Sequence, residues 1–358
     1  MLDELAGQSV IAFDTESNSM YAYRERVCLV QCTAGGRDYI IDPFAVDIRP
    51  LGTIFADRNV EKIFHAAEYD VFCLRREFEF EFENLFDTMV SARILGWKKV
   101  GLSSLLEAHF GVKLDKKMQR HDWGRRPLTK QAVDYARQDT VHLHELRDIV
   151  HEALERDGRV AEARAAFGRV AASTPPARAF NPDGFWRLKR VRDVPKDALA
   201  RFRELYGARE EIGRLTDRAV HRVISEAALV SMAQNPPKTG RDLQTLKGAD
   251  RRVLGRHQRL IFDALKRADG AAMPKRPPKP EPPSPAEAAR VDRLKAWRKA
   301  LCEERGVESD VVMSNKVLTS IARAAPNDET ALRGLGALDE WQLDNYGAPI
   351  LTALRGGA

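Results

Sequence analysis

The chain has 358 residues, enough for two or three domains, and its 44% hydrophobic content suits a globular protein in water. No stretch approaches the roughly 18 apolar residues of a membrane span, and the opening Met-Leu-Asp-Glu-Leu-Ala lacks the basic-then-apolar pattern of a signal peptide, so a cytoplasmic, membrane-free protein is expected. The net charge of +6 is unevenly placed: residues 1–150 carry 20 Lys/Arg against 24 Asp/Glu, 178–279 carry 24 against 12, and 280–358 carry 10 against 12.

Along the chain, 9–13 reads as a buried strand running into Asp14-Thr15-Glu16. Strands follow at 27–33 and, after the Gly35-Gly36 turn, at 38–42, where Pro43 stops the run. Hairpin-length connections predict an antiparallel meander. A short apolar strand at 62–65 then leads into helical spacing from Glu68 to Glu77. Further helices are predicted at 87–95, 102–110, 129–136 and 138–156, the last two in continuity. Strands followed by helices predict an α/β domain with helices packed around one sheet. We place it at 1–170, with a Pro/Asn/Ser-rich linker at 171–184. Residues 185–270 are helical in pattern and carry the basic excess. A proline-dense spacer at 271–286 precedes a second all-helical segment, 287–358. Residues 241–248 (RDLQTLKG) and 330–337 (TALRGLGA) resemble each other, which reads as a diverged tandem repeat.

Clustered positive charge attracts phosphate backbones through counterion release; a solvated helical surface accounts for the same charge equally well. Cys28, Cys32, Cys73 and Cys302 form no Cys-x-x-Cys pair and have no histidines at zinc spacing, the pattern of reduced thiols.

Three acidic elements carry chemistry. Asp14 and Glu16 lie two apart on a strand, so both side chains project from one face and can share a divalent ion. Oxygen donors of this kind suit Mg²⁺ or Mn²⁺ rather than zinc. Tyr135 and Asp139 stand at i and i+4 on a predicted helix, side by side. In Phe64-His65-Ala66-Ala67-Glu68-Tyr69-Asp70, periodicity leaves Asp70 and Glu68 as rivals at a helix start. Each element alone has a bland reading as solvated or capping residues; all three in this order do not.

With these motifs, residues 1–150 resemble the DEDD exonuclease superfamily in its tyrosine-bearing branch: Phe13-Asp14-Thr15-Glu16, Tyr69-Asp70, and Tyr135 four residues before Asp139. Leu85-Phe86-Asp87-Thr88, leading into the helix after the second motif, is a further match, and His121-Asp122-Trp123-Gly124-Arg125-Arg126-Pro127-Leu128 resembles the ribonuclease D subgroup. Residues 219–248 resemble the HRDC domain shared with RecQ-type helicases, and 290–354 a diverged second copy.

The resemblance implies a ribonuclease H-like mixed sheet with two HRDC-like helical domains behind it. It implies two divalent metal ions, Mg²⁺ or Mn²⁺, with Asp14, Glu16 and Asp139 on the nucleophile side. Asp14 would bridge to the second ion, Asp70 would support that ion through water, and Tyr135 would orient the attacking water. The implied partners are RNA 3′ ends, chiefly tRNA precursors, met by a monomer that releases nucleoside 5′-monophosphates. A DNA exonuclease working beside a RecQ-type helicase is the alternative, and a non-catalytic RNA-binding scaffold is a third, opposed by the four filled acidic positions. The basic segment 178–279 is expected to hold the RNA body. Among other polar residues, His65 is expected to pack or cap, and His142 and His144 to lie on the surface. Arg125 and Arg126 fit phosphate contacts or a solvated pair. Met20 and Tyr23 are candidates to stack on bases, whereas Phe13 and Trp123 fit the core better.

Overall fold

The computed structural model describes residues 1–114, 116–174, 179–278 and 281–356. Linker residues 175–178, residues 279–280 of the proline-dense spacer and the terminal 357–358 lie outside the described residues.

The first part is built on one mixed sheet. Strands β1 (Val10–Ser17), β2 (Val27–Ala34), β3 (Arg37–Ile41), β4 (Glu61–Phe64) and β5 (Leu85–Asp87) lie side by side in the order β3-β2-β1-β4-β5. The first three form the predicted antiparallel meander, and β4 runs parallel to both β1 and β5. Helices α1 (Leu2–Ala6), α2 (Gly52–Ala56), α3 (Glu68–Phe78), α4 (Thr88–Ile94), α5 (Leu102–Phe110), α6 (Lys130–Gln138), α7 (Leu143–Arg156) and α8 (Val160–Ala172) surround it. On one side α2 brings Phe55 within 4.5 Å of Phe13, ring to ring, in an aromatic cluster with Phe64, Phe80 and Phe82. Phe13 is fully buried there, so it belongs to the core rather than to a base-stacking surface. On the other side α6 packs Ala132, Tyr135 and Ala136 against Leu29, Ile40 and Trp123.

Two features depart from the sequence reading. Leu85–Asp87 is a strand of its own, too short for a period to register. The helices predicted at 129–136 and 138–156 are not continuous: α6 stops at Gln138 and α7 starts at Leu143. The break has a polar cause, because the Thr140 hydroxyl is drawn inward to Thr33 at 2.8 Å. Around it the backbone closes turns, with Asp139 and Thr140 N–H donating to the carbonyls of Ala136 and Arg137.

Behind the sheet stand two helical units with separate apolar cores. The first holds α9 (Leu199–Thr216), α10 (Val220–Val223), α11 (Glu226–Gln234), α12 (Gly240–Thr245), α13 (Arg251–Arg256) and α14 (Gln258–Ala268). The second holds α15 (Pro285–Arg305), α16 (Ser309–Val312), α17 (Asn315–Ala324), α18 (Glu329–Gly334) and α19 (Glu340–Arg355). Each opens with a long, a short, a medium and a short helix. The two similar stretches start on corresponding helices, α12 and α18, which explains the repeat in the sequence.

Both units are pinned to the sheet domain. The loop after β1 is held by the first unit: Tyr23 donates to Glu210 at 2.9 Å, the Ala219 N–H donates to the Tyr21 carbonyl, and the Arg222 guanidinium lies 3.8 Å over the Tyr21 ring. The second unit docks through Arg305, which donates to both carboxylate oxygens of Glu162 at 2.7 and 2.5 Å. At that seam Gly96 has φ +75°, and a Cβ there would lie 2.5 Å from the Gly306 carbonyl oxygen, so only glycine fits.

Candidate active site

The site forms where β1 outruns a neighbour. On one side β1 is paired with β2 from Ala12 to Ser17, but on the other β4 pairs with it only at Val10–Ala12. From Phe13 onward that edge of β1 is open, and Asp14 and Glu16 project from the exposed end. The chain leaving β4 turns at Ala66, which takes a left-handed φ of 66°. Asp87, fully buried at the end of β5, holds this turn by accepting from the Ala66 N–H at 3.1 Å and the Ala67 N–H at 2.7 Å. The same carboxylate caps α4 through Met89 and Val90 N–H. Helix α3 is thereby aimed at the open edge, where Asp70 accepts from the Thr15 backbone N–H at 3.1 Å and the Thr15 hydroxyl at 2.5 Å. Of the two rivals left by the sequence, Asp70 is buried and Glu68 is exposed.

Asp139 arrives from the C-terminal end of α6. Asp14, Glu16 and Asp139 each offer an oxygen, and these atoms lie within 4.8 Å of one another, a spacing fit for one cation. Without a cation the site strongly favours protons. Burial, reinforced by repulsion from Asp70, Asp139 and Glu16, pushes Asp14 well above the carboxylate range. Glu16 is pushed up to about 9, mostly by burial and then by Asp139 and Asp70. Asp139 rises to about 7 through burial and the Asp70 charge. Asp70 also rises to about 7 by burial, against the opposing hydrogen bonds from Thr15. Clustered carboxylates that resist ionising together can be neutralised by a cation.

Tyr135 lies one turn before Asp139 on α6, half-buried, its ring 6.1 Å from Trp123. It lines a cavity of about 320 Å³ with Met118, Lys130, Gln131, Asp134 and Gln138. Trp123 is buried in the small core beneath α6. Arg126 is committed to structure: it grips Asp42 through Nε and Nη2, donates to the Trp123 and Cys28 carbonyls, and lies over Phe44. Arg125 is exposed. Met20 is exposed, but Tyr23 spends its hydroxyl on Glu210. His65 is packed, with Nδ1 2.9 Å from the Thr88 hydroxyl, and burial lowers it to about 4. His142 and His144 are half-buried rather than surface residues; His142 stacks on Phe110, and His144 Nε2 sits 2.9 Å from the Thr33 carbonyl. Thr15 and Asp87 hold the site together and were not singled out as site residues from sequence. The Leu-Phe-Asp-Thr stretch, a helix N-cap signature, was the available signal for Asp87.

The 3′-5′ exonuclease family matches residues 1–155, and the HRDC domain matches twice, at 198–265 and 287–354. Ribonuclease D of Nitrobacter hamburgensis is 30% identical over 98% of this chain and 91% of its own length. This chain belongs to the ribonuclease D family. Ribonuclease D of Gluconacetobacter diazotrophicus is 29% identical, over 100% of this chain and 90% of that protein. Among solved structures, the catalytic core of RRP6 from Trypanosoma brucei aligns with a TM-score of 0.70 at 25% identity, over 76% of this chain and 78% of that one. The fold of Escherichia coli RNase D aligns over 99% of this chain and 95% of that one, with a TM-score of 0.62 at 21% identity. The chain is thus a 3′→5′ exoribonuclease with a mixed-sheet exonuclease domain and two HRDC domains. None of its described helices is long and apolar enough to cross a membrane.

Proposed function

We propose that this ribonuclease D-family chain trims the 3′ ends of tRNA precursors and other structured RNAs, releasing nucleoside 5′-monophosphates with two divalent cations, Mg²⁺ or Mn²⁺. The observation that carries the reading is the packing of Asp14, Glu16 and Asp139 within 4.8 Å at the open end of β1. The donor set fits the ions: hard carboxylate oxygens, too close to ionise together, suit small oxygen-loving cations. When bound, such ions lower the pKa of a water and neutralise charge on the scissile phosphate.

Asp14, Glu16 and Asp139 would hold the ion on the nucleophile side, and Asp14 would also contribute to holding the second. Asp70, fixed by the two hydrogen bonds from Thr15, would support the second ion. Tyr135 would orient the attacking water through its phenol. We assign the exonuclease domain to 1–170 and the helical domains to 185–270 and 287–358, joined by linkers at 171–184 and 271–286; the separate apolar cores support this division. The first helical domain holds the RNA body, a role suited to the exposed Arg251, Arg252 and Arg256 on α13.

RNA is favoured over DNA by the relatives, which include ribonuclease D of several bacteria and the exosome complex exonuclease RRP6 of Saccharomyces cerevisiae. A time course on a tRNA with a 3′ extension, beside a DNA of the same sequence, tests the proposal. The extension should shorten one nucleotide at a time, at least about tenfold faster than the DNA tail. Equal or faster digestion of the DNA would transfer the reading to a DNA-directed exonuclease.

A further inference from the structure

Gln31 lies on β2 directly opposite Asp14 in the antiparallel pairing with β1. Directly opposed residues point to the same face, with Cβ atoms about 4.5–5.5 Å apart. This is the face covered by α6, whose C-terminal end delivers Asp139. Gln31 is fully buried, and both its Oε1 and its Nε2 lack a hydrogen-bond partner among the described residues. An amide buried with neither end paired is costly, and such groups in folded proteins call for an explanation.

The neighbouring polar groups narrow what can satisfy it. Thr33, two residues along the same face of β2, has its hydroxyl shared between Asp38 at 2.9 Å and Thr140 at 2.8 Å. Leu29, two residues the other way and opposite Glu16, is apolar. Asp14, directly opposite Gln31, clusters with Glu16 and Asp139 on this side of the sheet.

We propose that Gln31 is a positioning residue of that site, its amide completing its hydrogen bonds on carboxylate oxygens and water ordered between Asp14 and Asp139 when a divalent cation is held there. The inference rests on the cation reading above and deepens it. A glutamine serves where a carboxylate would not, because it adds a donor and an acceptor without adding a fifth negative charge. Outer partners of this kind tune cation affinity by about 10–100-fold.

The test uses the full-length protein with Gln31→Met, close in shape but without the amide, and Gln31→Glu as a second variant. Melting is followed with chelator and with Mn²⁺, Mn²⁺ binding is measured by calorimetry, and kcat and KM are measured on one RNA. Gln31→Met should melt at or above the wild-type temperature in chelator, because an unpaired buried amide is gone. It should bind Mn²⁺ about tenfold more weakly and lose kcat with KM unchanged. Gln31→Glu should be destabilised in chelator and recover with Mn²⁺. Wild-type Mn²⁺ affinity in Gln31→Met, or an equal drop in melting temperature with and without Mn²⁺, would overturn the proposal and leave Gln31 a packing residue. If the wild-type chain binds no Mn²⁺ at all, the cation reading itself fails, a result distinct from either.

Discussion

Asp14→Asn is expected to lower the rate of mononucleotide release by about 10⁴-fold, which corresponds to roughly 5.5 kcal/mol of lost transition-state stabilisation. Asp14 is the carboxylate at the centre of the cluster: Asp70, Asp139 and Glu16 all raise it by repulsion. The substitution barely changes shape, so the loss reports on charge and coordination rather than on folding. Its effect on stability has the opposite sign. Glu16 is raised to about 9 and Asp70 and Asp139 to about 7, all above the unfolded carboxylate range. Between about pH 4 and those values the folded state therefore binds more protons than the unfolded state. Stability of the metal-free protein falls as pH rises through that window, and a bound cation restores it. The rise in melting temperature on adding Mg²⁺ should accordingly be larger at pH 8.5 than at pH 6. In chelator at pH 8.5, Asp14→Asn should melt no lower than wild type, with one repelling carboxylate gone, and it should gain little from Mg²⁺. Retained release of mononucleotides would refute the assignment of Asp14.

Arg305→Met should give the largest loss of stability away from the active site. Arg305 joins the second helical domain to α8 by gripping both oxygens of Glu162 and donating to the Tyr346 hydroxyl at 2.5 Å. Both partners are largely shielded, with side chains 14% and 6% exposed. Such a pair adds little net energy over an apolar replacement, but removing one partner strands a buried charge, at a cost of about 3–5 kcal/mol. Arg305→Met should therefore lower the urea midpoint sharply. Pairing it with Glu162→Leu should recover most of the loss, because no charge is then stranded. A double-mutant cycle reads this directly. A single-variant cost below about 1 kcal/mol would show a solvated pair, as at an open surface, and an undocked domain.

Much of this was legible in the sequence, for local reasons. Strands at 9–13, 27–33 and 38–42 carry strong apolar runs, and the meander follows from their short connections. The tandem helical domains were visible because matching short helices kept a matching pattern. What was not legible depends on contacts distant in sequence. Periodicity could not separate Asp70 from Glu68, because what distinguishes them is the contact of Asp70 with Thr15, 55 positions earlier. The break between α6 and α7 is set by Thr140 meeting Thr33, 107 positions away. Gln31 reads as an ordinary polar residue in an apolar strand until the pairing places it opposite Asp14.

In the proposed reading, the clustered carboxylates at the end of β1 make the 3′→5′ exoribonuclease activity of this chain cation-dependent. The most direct measurement is a time course on a single-stranded RNA labelled at its 3′-terminal nucleotide, with Mg²⁺, with Mn²⁺ and with chelator. Labelled nucleoside 5′-monophosphate should appear first and without a lag in the presence of either metal, and not at all with chelator. Release unaffected by chelator, or labelled products longer than a mononucleotide, would contradict it.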